Sequence, residues 1–384
     1  MSWPLASLGE VAPSKPLKNP EILDENSVWQ LNLDKVESHS GLVTEKVYGS
    51  VQSAGSSTHW FDERHVLYSK LRPYLNKVVL PEEQGLATTE LVPLYPDKDR
   101  LDRKYLTYYL RSNRFVKWIS DQVAGAKMPR VSMKVFWEHQ IPLPPLDEQK
   151  RIAAILDKAD AIRRKCQQAI DLADDFLRSA FIERFGDPRN SSFPIRELQE
   201  VCTKITDGTH HTPTYTDSGV HFLRVTDINK AKVNWNNTKF VSKEEHLDLI
   251  KRCHPEKGDV LYSKNGTIGV PRLIDWDTEF SIFVSLCLIK LKKELLLGGY
   301  LESFLKTPFA LKQATARAKS ATVTNLHLVE IKEIKLPVPP LDVQREWLDF
   351  VSNHKDMMTK LEHSMNEANN QFNSISQQAF LGEL

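Results

Sequence analysis

The sequence predicts an α+β protein. Two mixed α/β domains stand in a pseudo-two-fold arrangement, joined by two long antiparallel helices that form a coiled coil. Three observations lead there. The stretch 142–186 reads as one uninterrupted amphipathic helix, entered through a proline run. The stretch 337–384 repeats it, PVPPLDVQREW against PLPPLDEQKRI. The residues between these stretches also repeat, so the chain is a tandem duplication rather than a short-period solenoid.

The two copies open alike, with Trp3-Pro4-Leu5 and Leu8 in one and Phe193-Pro194-Ile195 and Leu198 in the other. The pentapeptide VLYSK occurs at Val66–Lys70 and again at Val260–Lys264. From Tyr105 to Gln149 the chain aligns without a gap on Tyr300 to Gln344. Each copy begins with a globular part, 1–141 and 190–336. Short alternating or β-branched runs predict strands at Val28–Leu33, His65–Ser69, Lys77–Leu80 and Glu90–Leu94, then at His221–Val225, Asp259–Ser263 and Ser285–Leu291. One amphipathic helix per copy is expected, at Arg103–Val123 and Tyr300–Arg317. Gly186-Asp187-Pro188 ends the first rod, because glycine stops a helix and the residues that follow form turns.

Pro142, Pro144 and Pro145 block helix, and Asp147 stands where an N-cap is expected. Beyond them Ile152, Ile155, Ala159, Ile162, Cys166, Ala169, Ala173, Phe176 and Ala180 alternate in steps of three and four, the seam of a coiled coil. Such a rod is roughly 50 Å long and needs a partner. The second rod supplies one through Trp347, Phe350, His354, Met357, Leu361, Ala368 and Ile375. Both rods reach an Ala-Phe pair, Ala180-Phe181 and Ala379-Phe380, and the second takes four more residues to get there.

Composition excludes several classes. At 384 residues, with 41% hydrophobic and 26% charged residues, the chain has ample material for packed cores. Its net charge is +1, so any basic surface must arise by segregation of charge. Four cysteines without CxxC spacing point to a reducing compartment rather than a disulfide framework or a zinc site. No run reaches 18 apolar residues and no leader pattern opens the chain, so a soluble, cytoplasmic protein without membrane contact is expected.

Catalytic motifs are missing. No G-x-G-x-x-G follows a strand, no P-loop is present, and Asn-Pro-Pro-Tyr, the signature of adenine methyltransferases, does not occur. His210-His211 lacks a third ligand at metal spacing and reads as a surface loop. Polar loops carry the better signal. Lys70, Arg72, Asn76 and Lys77 follow the first VLYSK; Lys264, Asn265 and Thr267 belong to the second. A further pair of loops precedes the proline runs, with Lys127 and Arg130 in one and Lys319, Thr322, Thr324 and Asn325 in the other. Thr209, His210 and His211 lie in a third. Lys, Arg, Asn, Thr and His on loops can reach phosphates and base edges, so these sixteen are the candidate DNA-binding residues. Ile152, Ile155, Ile162, Phe176, Trp347, Phe350, Met357 and Leu361 are the candidate coiled-coil and subunit-interface residues.

Two variable heads, each closed by a PLPPLxEQ-like run and a long helix, resemble the specificity subunit of type I restriction–modification systems. The resemblance rests on Pro142–Asp160, its copy from Pro337, the paired VLYSK segments, and TDGTHHTP with FLRVTDI in the second head. It implies that 1–141 and 190–336 are target-recognition domains, each reading one half of a split, asymmetric DNA sequence. It implies that 142–186 and 337–384 are conserved spacer helices that set the unread gap and dock two modification subunits. Restriction subunits would complete the assembly. S-adenosylmethionine, ATP and Mg would sit on those partners, leaving this chain without catalysis, metal or cofactor. The competing readings are a protein-binding scaffold, motivated by the near-neutral charge, and a self-sufficient nuclease or methyltransferase.

Overall fold

A computed structural model describes residues 3–22, 24, 27–123, 128–229, 233–316 and 325–384. The chain divides into two compact units: 1–168 with 362–384, and 169–361. Each contains one globular part and a portion of both long helices. Those helices run from Leu146 to Phe185 and from Leu341 to Leu381 without interruption. The first begins one residue before Asp147, so Asp147 lies in its first turn rather than at the cap.

In the first unit Val28–Leu31 is flanked by Val47–Gly49 (antiparallel) and Gly85–Thr88 (parallel), with Thr58–Phe61 outermost. A second sheet pairs Val66–Ser69 with Val78–Val79 and Leu91–Leu94. The second unit has Cys202–Asp207, Leu286–Leu291, Val260–Ser263 and Pro271–Leu273 in that order. Its other sheet runs Tyr215–Thr216, Lys239–Val241, Val220–Leu223, Phe280–Ile282. The opening residues of each copy close the domain: Leu5–Ser7 pairs antiparallel with Gln140–Pro142, and Ile195–Glu197 with Lys335–Pro337.

The repeated VLYS strand explains itself through period-two alternation. Val66 and Tyr68 face one hydrophobic cluster while Leu67 faces another. Val260 and Tyr262 likewise face one cluster and Leu261 a second. Buried on both faces, the strand stays hydrophobic for three positions. It then ends on a buried serine with a hydrogen-bonded hydroxyl, Ser69 donating to the Leu71 carbonyl and Ser263 accepting from Val270 N, and the lysine follows.

The expected helices Arg103–Val123 and Tyr300–Arg317 are each broken in two. Arg103–Arg111 gives way to Asn113–Asp121, and Gly298–Leu305 to Pro308–Thr315. Ser112 and Thr307 take extended backbone at the breaks, and their hydroxyls cap the second pieces by accepting from Phe115 N and Ala310 N. Pro308 at the first helical position reinforces the second break.

Within each unit the two long helices pack antiparallel. In the first, Arg151 Nη2 donates to the Leu384 carbonyl and the Arg163 guanidinium lies over the Phe372 ring. Ile152 shares a core with Ala379 and Phe380, whose ring packs on Tyr105 and Tyr109. In the second, Phe181 packs on Trp347, Phe176 on Phe350, and His354 Nε2 donates to the Ala173 carbonyl. Ile152 and Trp347 are buried, and Ile155, Phe350 and Leu361 half-buried. The expectation of a fully covered seam does not hold at Ile162, Phe176 and Met357, which are 53%, 55% and 41% exposed. Two helices alone enclose only a narrow stripe, so seam residues at its margin stay open to solvent.

The glutamine of the repeated motif is the joint between domain and rod. Gln149 is fully buried; Nε2 donates to the Arg100 and Pro144 carbonyls, and Oε1 accepts from Asp102 N. Gln344 repeats this with Leu295, Pro339 and Leu297 N. Tyr105 and Tyr300 complete the match, each phenol donating to a proline carbonyl, Pro142 and Pro337, at 2.9 Å.

Candidate nucleic-acid interface

Two loop families that lie far apart in sequence meet in both domains. Past the first VLYS strand, Leu71 forms an isolated antiparallel bridge with Arg130, and Val131 N donates to the Lys70 carbonyl at 2.8 Å. Past the second, Asn265 bridges Asn325, and Leu326 N donates to the Lys264 carbonyl at 2.8 Å. The backbone frame is therefore common to both domains while the side chains on it differ. Gly266, at φ +75°, makes the turn that presents Asn265 and Thr267.

In the first domain Lys70 is half-buried, Arg72 is exposed, and neither side chain has a hydrogen-bond or ion-pair partner among the described residues. Burial, and then the Lys70 charge, hold the neighbouring His59 below its usual pKa. Arg130 is exposed and pairs with Glu90 at 2.8 Å. Asn76 and Lys77 correct the expectation. Asn76 is buried in left-handed backbone, and its Nδ2 donates to the Arg111 carbonyl at 3.0 Å. The Lys77 ammonium donates inward to the Leu33 carbonyl, and burial lowers its pKa. Both side chains are committed to holding the loop rather than to a ligand.

In the second domain Lys264 needs the same correction. It is 6% exposed and donates to the Asp207 carboxylate at 2.8 Å. Asp207, itself buried, also accepts from His210 Nε2 at 3.2 Å and from Arg252 Nη2. Burial opposes its ionisation, but the Lys264 hydrogen bond and charge outweigh it, with His210 adding to the effect. The carboxyl therefore titrates below its ordinary range. Thr209 is buried, and its hydroxyl meets His211 Nδ1 at 2.8 Å. His210, His211, Thr267 and Asn325 are exposed, and Asn265 is half-buried. The candidates Lys127, Lys319, Thr322 and Thr324 lie outside the described residues.

Sequence reasoning missed Asp207 and Arg252, because nothing local joins residues 207, 252 and 264. These loops carry cations, amides, hydroxyls and imidazoles at the ends of the sheet strands. Among the described residues no cluster of His, Cys, Asp and Glu could hold a metal ion, and no helix is long and apolar enough to cross a membrane.

Alignment with the specificity subunit of the type I restriction enzyme EcoDI of Escherichia coli gives 27% identity over 48% of this chain and 41% of that subunit. The MjaVIII specificity subunit of Methanocaldococcus jannaschii is 22% identical over 74% of this chain and 72% of that one. The EcoBI specificity subunit of Escherichia coli is 23% identical over 80% and 71%. The fold matches that of a chain solved in work on complex assembly and conformational transition of the type I R-M system, at TM-score 0.59, 19% identity, and coverage of 100% and 98%. It also matches the type I restriction–modification S subunit from M. genitalium, at TM-score 0.52, 15% identity, and coverage of 99% and 96%. The family model for the type I restriction modification DNA specificity domain matches residues 74–171 and 190–369, and the chain belongs to that family.

Proposed function

We propose that this chain is the address-reading subunit of its restriction–modification enzyme. Each domain reads one half of a bipartite, asymmetric DNA sequence. The two long helices set the length of the unread spacer and dock two modification subunits. Those subunits carry S-adenosylmethionine and methylate adenine, and restriction subunits supply the ATP- and Mg-dependent cleavage. The chain itself is non-catalytic, and the assembly works in the cytoplasm. The observation that supports this reading is the shared bridge frame, Leu71 with Arg130 and Asn265 with Asn325: one scaffold presenting two different sets of side chains.

The test is reconstitution. Purified alone, the chain should transfer no methyl group to DNA. With its modification subunits added, methylated adenines mapped by sequencing should fall in a single two-part motif. Folded components that methylate nothing, or that methylate without sequence preference, would refute the reading.

A further inference from the structure

We propose that Arg252 and His210 form a phosphate grip beside the second half-site, with buried Asp207 as the residue that positions both. The inference rests on the DNA-reading function proposed above. Asp207 ends the strand Cys202–Asp207 and is 3% exposed. Its carboxylate accepts from Lys264, His210 and Arg252. One negative charge thus faces two permanent cations, and the cluster stays net positive before the imidazole is counted. Lys204 adds a further charge, its ammonium donating to the Arg252 carbonyl.

The arrangement anchors one end of each side chain and leaves the other free. Arg252 is 56% exposed on its side chain and spends one guanidinium donor on Asp207. A guanidinium has five donors, set in a fork that matches phosphate oxygens. His210, 61% exposed on its side chain, spends Nε2 on the same carboxylate, which leaves its second ring nitrogen available for a ligand. Lys264 carries the link to the reading loops, because its backbone joins Leu326 and the next residue bridges Asn325. The basic cluster therefore flanks the bridge frame rather than sitting on it. Charge spread over two side chains and pinned from below suits a phosphate, which selects for charge, better than a base edge, which selects for pattern. The first domain lacks the device: Lys70 occupies the position of Lys264 with no carboxylate beneath it among the described residues.

The experiment uses the chain assembled with its modification subunits and a duplex carrying the motif mapped for the unaltered complex. Binding is measured between about 50 and 200 mM salt. Arg252→Gln should weaken binding about tenfold at the higher salt and make the plot of log affinity against log salt shallower by about 0.9, the loss of one phosphate contact. The methylated motif should stay the same, and Arg252→Lys should recover most of the salt slope. His210→Ala, at an exposed position held by one bond, gives a second reading that does not depend on folding of the Arg252 variants. An unchanged slope in both variants, or a motif altered at any base, would overturn the grip while leaving the reading function intact. An unaltered complex that binds no duplex would overturn the function itself.

Discussion

Replacing Gln344 tests how each rod is held to its domain. Its side chain makes three hydrogen bonds in full burial, to the Leu295 and Pro339 carbonyls and from Leu297 N. A buried hydrogen bond contributes about 1 kcal/mol net, and more when its loss strands the partner. Gln344→Ala strands one amide and two carbonyls, so the second unit should lose about 3 kcal/mol. Gln344→Glu should cost more, because a carboxylate facing two carbonyl oxygens has no donor to replace Nε2. The identical geometry at Gln149 predicts an equal loss in the first unit for Gln149→Ala. Urea denaturation followed by circular dichroism gives the magnitude. Amide hydrogen exchange gives the place, at Leu297 for one variant and Asp102 for the other. A loss below about 1 kcal/mol in both alanine variants would refute the joint and leave the repeated glutamine without a mechanical role.

Four other outcomes follow from the same structure. Phe380→Ala empties a site between Tyr105 and Tyr109 and should cost the first unit about 3 to 5 kcal/mol, measured by the same denaturation. His139 has its pKa pushed down to about 4 by burial and then by the Arg114 charge, against 6.5 when unfolded. The unfolded chain takes up that proton first, so the stability due to the neutral ring is complete above pH 6.5 and is lost as pH falls towards 4. After allowance for solvent screening the loss is about 2 kcal/mol, and His139→Asn should flatten that part of a urea-midpoint profile. Lys264→Ala should destabilise the second unit by about 3 kcal/mol, since it removes the buried partner of Asp207. Lys70→Ala should leave the melting temperature unchanged and reduce the salt dependence of DNA binding instead.

The duplication, the strands around the VLYS repeat and the two rods were legible because they rest on periodicity and repetition, which are local; Thr58–Phe61, Gly85–Thr88, Cys202–Asp207 and Phe280–Ile282 were not anticipated. The helix breaks at Ser112 and Thr307 were not, although Pro308 marked one of them: an amphipathic pattern continues through a cap when both helices face the same core. Among the candidate site residues, composition singled out polar loops but could not say which of their side chains stay on the surface. Lys70 and Lys264 occupy matching places in a repeated pentapeptide, yet Lys264 is drawn inside by a carboxylate 57 residues earlier. Asn76 and Lys77 were misread for the same reason, since the Arg111 and Leu33 carbonyls that receive them come from distant segments. Gln149 and Gln344 were visible as repeats but silent as to purpose, because their partners arrive only with the tertiary fold.

The first unit is built from two separate segments, 1–168 and 362–384, and this gives synthesis a direction. The faces of Tyr105, Tyr108 and Tyr109 are covered by Phe372 and Phe380, residues translated roughly 270 positions later. At ribosomal speeds of about 5 to 20 residues per second, that aromatic surface waits roughly 15 to 55 s for its cover. The second unit is one continuous segment and can be finished while the first is still open on the ribosome. Nascent chains should therefore be most vulnerable to aggregation and to chaperone capture through a tyrosine face that the finished protein hides.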